Sequence, residues 1–310
     1  MPLVAATGDI VLKSILVATD FSGVSDKPLR HALAIARHYG AKVYLTHVVS
    51  AQSFTLAGPE AVHAATDAAW RDARQLEKDL LQRGALAGLN HEVIVLQGNV
   101  WDELDKTVQQ EQVDLLVVGT HGRRGLGKLL LGSVAENIFR HAGCLVLTVG
   151  PGSLQDSPVD GSRAVRPFLF ATDFSEASLR ALPYAVSSAN HFGTKLVLLH
   201  VVPAVPMPET VTRPSADDVM QMREQSRAAN IQRLKELTLH SPKLNIEPEF
   251  VVEFGSPSEE ILRTADAVKS DAIILGLHSS THIDTKSHLP WGTAYEVVCG
   301  ACCAVLSVRN

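Results

Sequence analysis

Two patterns in the chain carry residue types that could hold an anionic ligand. The longer reads Gly119-Thr-His-Gly122-Arg-Arg-Gly-Leu-Gly-Lys-Leu-Leu-Leu-Gly132-Ser133, a G-x2-G-x9-G-S spacing. Glycine lets a backbone turn sharply and approach a ligand with no Cβ in the way. Gly132 and Ser133 directly precede a helical stretch, so free amides and a hydroxyl face whatever sits at that N-terminus, an arrangement that suits phosphate. Arg123, Arg124 and Lys128 add positive charge nearby. The shorter pattern, Ala18-Thr-Asp-Phe-Ser22, sets the carboxylate of Asp20 just beyond an apolar run. One lookalike is set aside: Gly122-x4-Gly127-Lys128 approaches a Walker A loop, but Leu129 stands where the Mg²⁺-binding Ser or Thr is needed.

Other chemistry is weakly supported. Cys299-x2-Cys302-Cys303 suggests zinc, yet a structural zinc site takes four ligands and no second such pair is present. Cys144 and Cys303 stand at matching places before apolar runs and read as packed thiols. His278, His282 and His288 lie on a polar stretch and read as solvated rather than metal-bound. There is no Ser-His-Asp order and no H-E-x-x-H. No residue stands out as a general base for water, which argues against efficient hydrolysis.

The elements that must position these residues occur twice. Ile15–Val49 and Phe168–Val202 align at a constant offset of 153 with no gap over 35 residues. Ala-Thr-Asp-Phe-Ser recurs at Ala171–Ser175, Gly40 matches Gly193, and His47-Val48-Val49 matches His200-Val201-Val202. Asp114–Gly119 matches Asp271–Gly276, and Cys144–Val149 matches Cys303–Val308. A unit of about 140 residues is thus duplicated. Residues 1–150 form the first domain and 166–310 the second. Residues 151–165, rich in Gly, Pro, Ser and Asp, are a linker.

Within a unit, short β-branched runs alternate with amphipathic stretches. Strands are expected at Ser14–Thr19, Lys42–Val49, His91–Gln97, Leu115–Val118 and Leu145–Val149. Helices are expected at Asp26–Tyr39, Pro59–Leu86, Val100–Gln110 and Val134–His141, with Gly40 ending the first and Asn99 capping the third. Such alternation implies an α/β class: two tandem doubly wound, flavodoxin-like domains, each with a five-stranded parallel sheet in the order 3-2-1-4-5. Ligands of these sheets sit beyond the carboxyl ends of the strands where the order reverses. Asp20, Val48 and the glycine loop all fall there. The terminal strands Leu145–Val149 and Ala304–Val308 would otherwise be exposed apolar edges, so the two units are expected to pair through them.

Composition narrows the class. The chain has 310 residues, 46% hydrophobic and 20% charged, with a formal net charge of -5. That balance fits an ordinary globular protein, not a disordered one. It lacks the basic excess of a nucleic-acid binder. No apolar run approaches the ~18 residues of a membrane-spanning helix, and Met1–Leu12 lacks the charged start of a secretory leader, so a cytoplasmic location is expected.

Taken together, the ATDFS after the first strand, the His-Val at the end of the second and the G-x2-G-x9-G-S after the fourth resemble the universal stress protein family. They match its ATP-binding branch and its tandem two-domain members. The resemblance spans residues 13–150 and 166–309. It implies ATP as ligand, with or without Mg²⁺, and an intrachain pseudo-dimer, leaving a homodimer of chains open. It places Asp20 and the neighbouring Ala18 at the nucleoside end, and Val48 where a backbone pairs with the adenine edge. Val118 and Gly119 fall beside the ribose, and Gly122, Gly132, Ser133 and Val134 around the phosphates. Structural alternatives stay open: Asp20 as a turn acid with Ser22, Ser133 as an ordinary helix cap, His121 as a polar loop residue. So do two functional ones, a slow ATPase using the same pocket and a nucleotide-free interaction module.

The second unit departs from the pattern. It keeps Asp173 and Val201, but its loop reads Gly276-Leu-His-Ser279, then twelve residues, then Gly292-Thr293. A serine replaces the second glycine and the spacer is three residues longer, so nucleotide binding is expected of the first unit and not of the second.

Overall fold

The computed structural model describes residues 10–20, 26–50, 58–120, 133–150, 153, 164–203, 215–239, 244–277 and 292–309. In the first half, β1 (Ser14–Ala18), β2 (Lys42–Ser50), β3 (His91–Gly98), β4 (Leu115–Gly119) and β5 (Leu145–Val149) alternate with α1 (Asp26–Tyr39), α2 (Gly58–Gln82), α3 (Val100–Gln110) and α4 (Ser133–His141). The second half repeats the series. Its strands are β6 (Phe168–Ala171), β7 (Leu196–Pro203), β8 (Glu249–Gly255), β9 (Ala272–Gly276) and β10 (Ala304–Val308). Its helices are α5 (Glu176–His191), α6 (Ala216–Leu239), α7 (Pro257–Ala267) and α8 (Gly292–Gly300).

All ten strands join one sheet, ordered β3-β2-β1-β4-β5-β10-β9-β6-β7-β8. Each half therefore has the expected 3-2-1-4-5 order, and the halves meet edge to edge. Pairing is parallel within each half. At the seam β5 and β10 run antiparallel, with Val146 opposite Ser307, Leu147 opposite Leu306 and Thr148 opposite Val305. The terminal strands thus cover each other's apolar edge, as the sequence led us to expect.

The strands are apolar on both faces because helices cover both. One core packs α1, α2, α5 and α6, through residues such as Leu33, Leu80, Ala185 and Leu234, against one face of the sheet. The other packs α3, α4, α7 and α8, through Leu104, Phe139, Ile261 and Val297, against the opposite face. The cap expected at Asn99 is present: its side chain accepts from the amides of Trp101 and Asp102. One boundary in the first half differs from expectation by more than one residue. The second helix stops at Gln82 rather than Leu86. Gly84 adopts φ +69°, and the amides of Gly84 and Ala85 donate back to Leu81 and Leu80 at 3.0 and 2.8 Å. That left-handed glycine closes the helix while the apolar pattern runs on through Leu86, which packs in the core.

Side-chain hydrogen bonds also tie the halves together beyond the seam. The amide of Ile10 donates to Ser187 Oγ in α5 at 3.1 Å. Arg309, just past β10, donates to the carbonyls of Phe139 and Arg140 at the C-terminus of α4, the latter at 2.7 Å. A guanidinium there satisfies orphan carbonyls and complements the negative end of the helix. In the repeat Arg309 corresponds to Gly150, so only the second half supplies this clasp. Arg309→Ala is expected to destabilise the chain by about 1–2 kcal/mol, read as a lower urea midpoint with unchanged slope, and Arg309→Lys by less.

Candidate functional site

The site is framed by a difference in strand length. β1 pairs Ser14–Ala18 with Lys42–Thr46 of β2, and then β1 ends. β2 continues for four residues, His47 to Ser50, paired on its far side with β3 as far as Gly98. At ~3.3 Å per residue the overhang is roughly 13 Å. On the other flank β4 ends at Gly119, near the level at which β1 stops. A crevice opens at the carboxyl ends of β1 and β4, where the strand order reverses, walled on one side by β2 and β3.

The expected residues fall around this crevice. Ala18 is the last residue of β1, Val48 lies on the overhang, and Val118 and Gly119 end β4. Val134 is the second residue of α4. Ala18, Val48, Val118 and Val134 all belong to the same apolar cluster, on the sheet face covered by α3 and α4. Val48 and Val118 are buried, and Ala18 and Val134 are partly so. Asp20 follows two residues after β1 and is half-buried. Gly122, Gly132 and the side chain of Ser133 lie outside the described residues. Ser133 itself opens α4, one residue before the expected start at Val134.

A latch holds the crevice edge, and sequence reasoning assigned it no role. His47 Nδ1 donates to the carbonyl of Thr19 at 2.7 Å, while the amide of Thr19 donates to Thr46 at 2.9 Å. Together they pin the turn after β1, and with it Asp20, to the overhang. The second half repeats both bonds, His200 Nδ1 to Thr172 at 2.8 Å and Thr172 N to Leu199 at 2.9 Å. The recurrence of His47 at His200 was visible in the sequence; its bond to a backbone carbonyl was not.

The second half keeps the frame but differs in detail. Its overhang runs from His200 to Pro203 beyond the end of β6. Asp173 Oδ1 accepts from the amide of Ser175 at 2.9 Å, and Ser175 in turn caps α5. Burial opposes ionisation of Asp173, but hydrogen bonds from Ser175 and Ser178 outweigh it and hold the carboxyl below its ordinary range. This aspartate therefore acts in the turn. Ser279 and the three histidines lie outside the described residues. Gly276 meets the start of α5 closely: a Cβ there would lie 2.1 Å from the carbonyl oxygen of Ala177 and 2.5 Å from Ser178 Cα.

Two of the four thiols are buried. Burial pushes Cys144 and Cys303 up to about 12, so both stay protonated. Among the described residues no three His, Cys, Asp or Glu groups gather to hold a metal. Nor, among them, is any helix long and apolar enough to cross a membrane.

A sequence profile of the universal stress protein family matches residues 12–150 and again 164–307. The chain belongs to the universal stress protein family. Universal stress protein MJ0531 of Methanocaldococcus jannaschii is 31% identical over 143 residues, covering 46% of this chain and 84% of its own length. Universal stress protein MJ0577 of the same organism is 28% identical over 159 residues, covering 45% of this chain and 96% of its own. The crystal structure of a universal stress protein from Archaeoglobus fulgidus superposes with a TM-score of 0.65 at 21% identity, covering 96% of this chain and 98% of that one. That likeness extends the shared fold over both halves of this universal stress protein.

The contact at Gly276 yields a direct test. Gly276→Ala should destabilise the protein by about 2–3 kcal/mol through overpacking against rigid backbone. Gly143→Ala, where a Cβ meets nothing within 4 Å, should leave the melting temperature within a few degrees of the parent. Thermal unfolding of both variants checks the pair.

Proposed function

We propose that this universal stress protein binds an adenine nucleotide, ATP, in the first half of the chain, as a conformational ligand in a stress response. The observation that carries the reading is the crevice itself. An apolar cluster of Ala18, Val48, Val118 and Val134 sits at the point of strand-order reversal, beside the turn that carries Asp20. Apolar walls with a few polar groups suit a purine ring, for which Val48 offers backbone pairing and Asp20 a carboxylate acceptor. Val118 and Gly119 border the ribose. The start of α4 receives the phosphates, with Gly122, Gly132 and Ser133 completing the cradle. Any Mg²⁺ would travel with the phosphates.

The two halves act as domains 1–150 and 166–310, and only the first takes ATP. The second keeps the strand frame, but the loop between Gly276 and Gly292 has lost the glycine spacing.

Isothermal calorimetry should give one tight site per chain. Gly132→Ala places a Cβ where backbone meets phosphate and should weaken binding more than tenfold, a cost above about 1.4 kcal/mol. Gly292→Ala should leave affinity unchanged, since the loop that leads to it has lost the glycine spacing. Two equal sites, or a well-folded Gly132→Ala that binds like the parent, would refute the assignment.

A further inference from the structure

On the opposite face of the sheet, over the β5–β10 seam, lies a cavity of about 100 Å³ between α1 and α5. Its walls come from both halves in matched pairs of the repeat: His31 with Tyr184, Tyr39 with Phe192, Leu147 with Leu306. The cavity therefore lies on the pseudo-twofold axis relating the halves. What opens it is asymmetry. Where the first half has Ile35, Leu115 and Leu145, the second has Ser188, Ala272 and Ala304. Three small-for-large exchanges line the same space. Toward their C-terminal ends α1 and α5 come together, where the Tyr39 ring stacks on His191 at 4.4 Å.

The polar group that matters is His31. Its Nδ1 bonds to the carbonyl of Lys27 at 2.9 Å. A carbonyl only accepts, so Nδ1 carries a proton. Burial lowers the imidazole's pKa and keeps it neutral, which leaves Nε2 as an acceptor without a hydrogen-bond partner among the described residues. Such an acceptor wants an O–H or N–H donor. Apart from His31, Asp271, Ser153 and Ser188 the walls are mainly apolar, and they supply aromatic rings from Tyr39, Phe168, Tyr184 and Phe192. The Asp271 carboxylate on the same lining disfavours an anion. An enclosed apolar cavity of ~150 Å³ takes one benzene ring. This one, at about 100 Å³, is somewhat smaller.

We propose that the seam cavity is a second ligand site, which takes an uncharged monocyclic phenol whose ring packs between the two halves and whose hydroxyl donates to His31 Nε2. The site is independent of the nucleotide crevice, which lies on the other helical layer.

The full chain is titrated with p-cresol by calorimetry and by thermal shift, with toluene as the comparison lacking the hydroxyl. Saturable binding of one p-cresol per chain is expected, with a raised melting temperature and a weaker response to toluene. Ala304→Leu and Ser188→Ile each restore the residue of the other half and fill the space. Each should fold with an unchanged or higher melting temperature and bind p-cresol at least tenfold more weakly. His31→Leu should erase the preference for p-cresol over toluene while both still bind. ATP affinity should stay within twofold of the parent in all three variants. Absence of saturable p-cresol binding by the parent would overturn the proposal. So would folded Ala304→Leu and Ser188→Ile proteins that bind p-cresol like the parent. A loss of ATP binding by the parent bears only on the nucleotide assignment.

Discussion

Each half of this chain ends in a short apolar strand that has a partner on only one side within its own half. Left alone, β5 and β10 would each offer a row of unpaired amides and carbonyls on an apolar strand. Their antiparallel pairing removes both edges at once and merges two parallel sheets into one of ten strands. Much else follows from that contact. It sets the pseudo-twofold axis, brings Arg309 onto the end of α4 and places α1 beside α5. The only sheet edges left among the described strands are β3 and β8, at the two ends.

The seam also links the halves to function. α4 begins where the phosphates are to be held and ends in carbonyls held by Arg309 from the other half. On the proposed reading, a helix clasped at one end and bound at the other would make the first domain's site depend on the second domain. The second half would then contribute to the first even though its own loop sequence has diverged. That is a physical reason for two domains to stay in one chain when only one of them keeps the glycine loop.

Much of this was legible in the residues, and the reasons are local. Strand and helix identities followed from hydrophobic period and from the caps at Gly40 and Asn99. The right-handed crossover rule gave the doubly wound layering, and the order 3-2-1-4-5 is one of the arrangements that layering allows. The pairing of β5 with β10 followed from their apolar, otherwise unpartnered edges. Local pattern could mislead where two signals conflicted, as at Gly84, whose left-handed backbone ended α2 before its apolar spacing did. Contacts between side chain and distant backbone were beyond it. His47 recurs at His200, but nothing in the spacing says that each binds the carbonyl one strand over. Nor does anything in the spacing tie Arg309 to the carbonyls of Phe139 and Arg140 in the other half. The seam cavity depends on the differences between repeats, Ser188 for Ile35 and Ala304 for Leu145, which attention to their similarities passes over.

The central claim is that one adenine nucleotide occupies the first domain and that the second domain stays empty of it. The most direct measurement is mass spectrometry, with quantitation, of small molecules released by denaturing the freshly purified chain. The account predicts an adenine nucleotide, ATP or its hydrolysis product, at no more than one per chain. Release of two per chain would contradict the asymmetry between the domains. Preparations that release no adenine compound, and that take up none when dialysed against ATP, would contradict the nucleotide site itself.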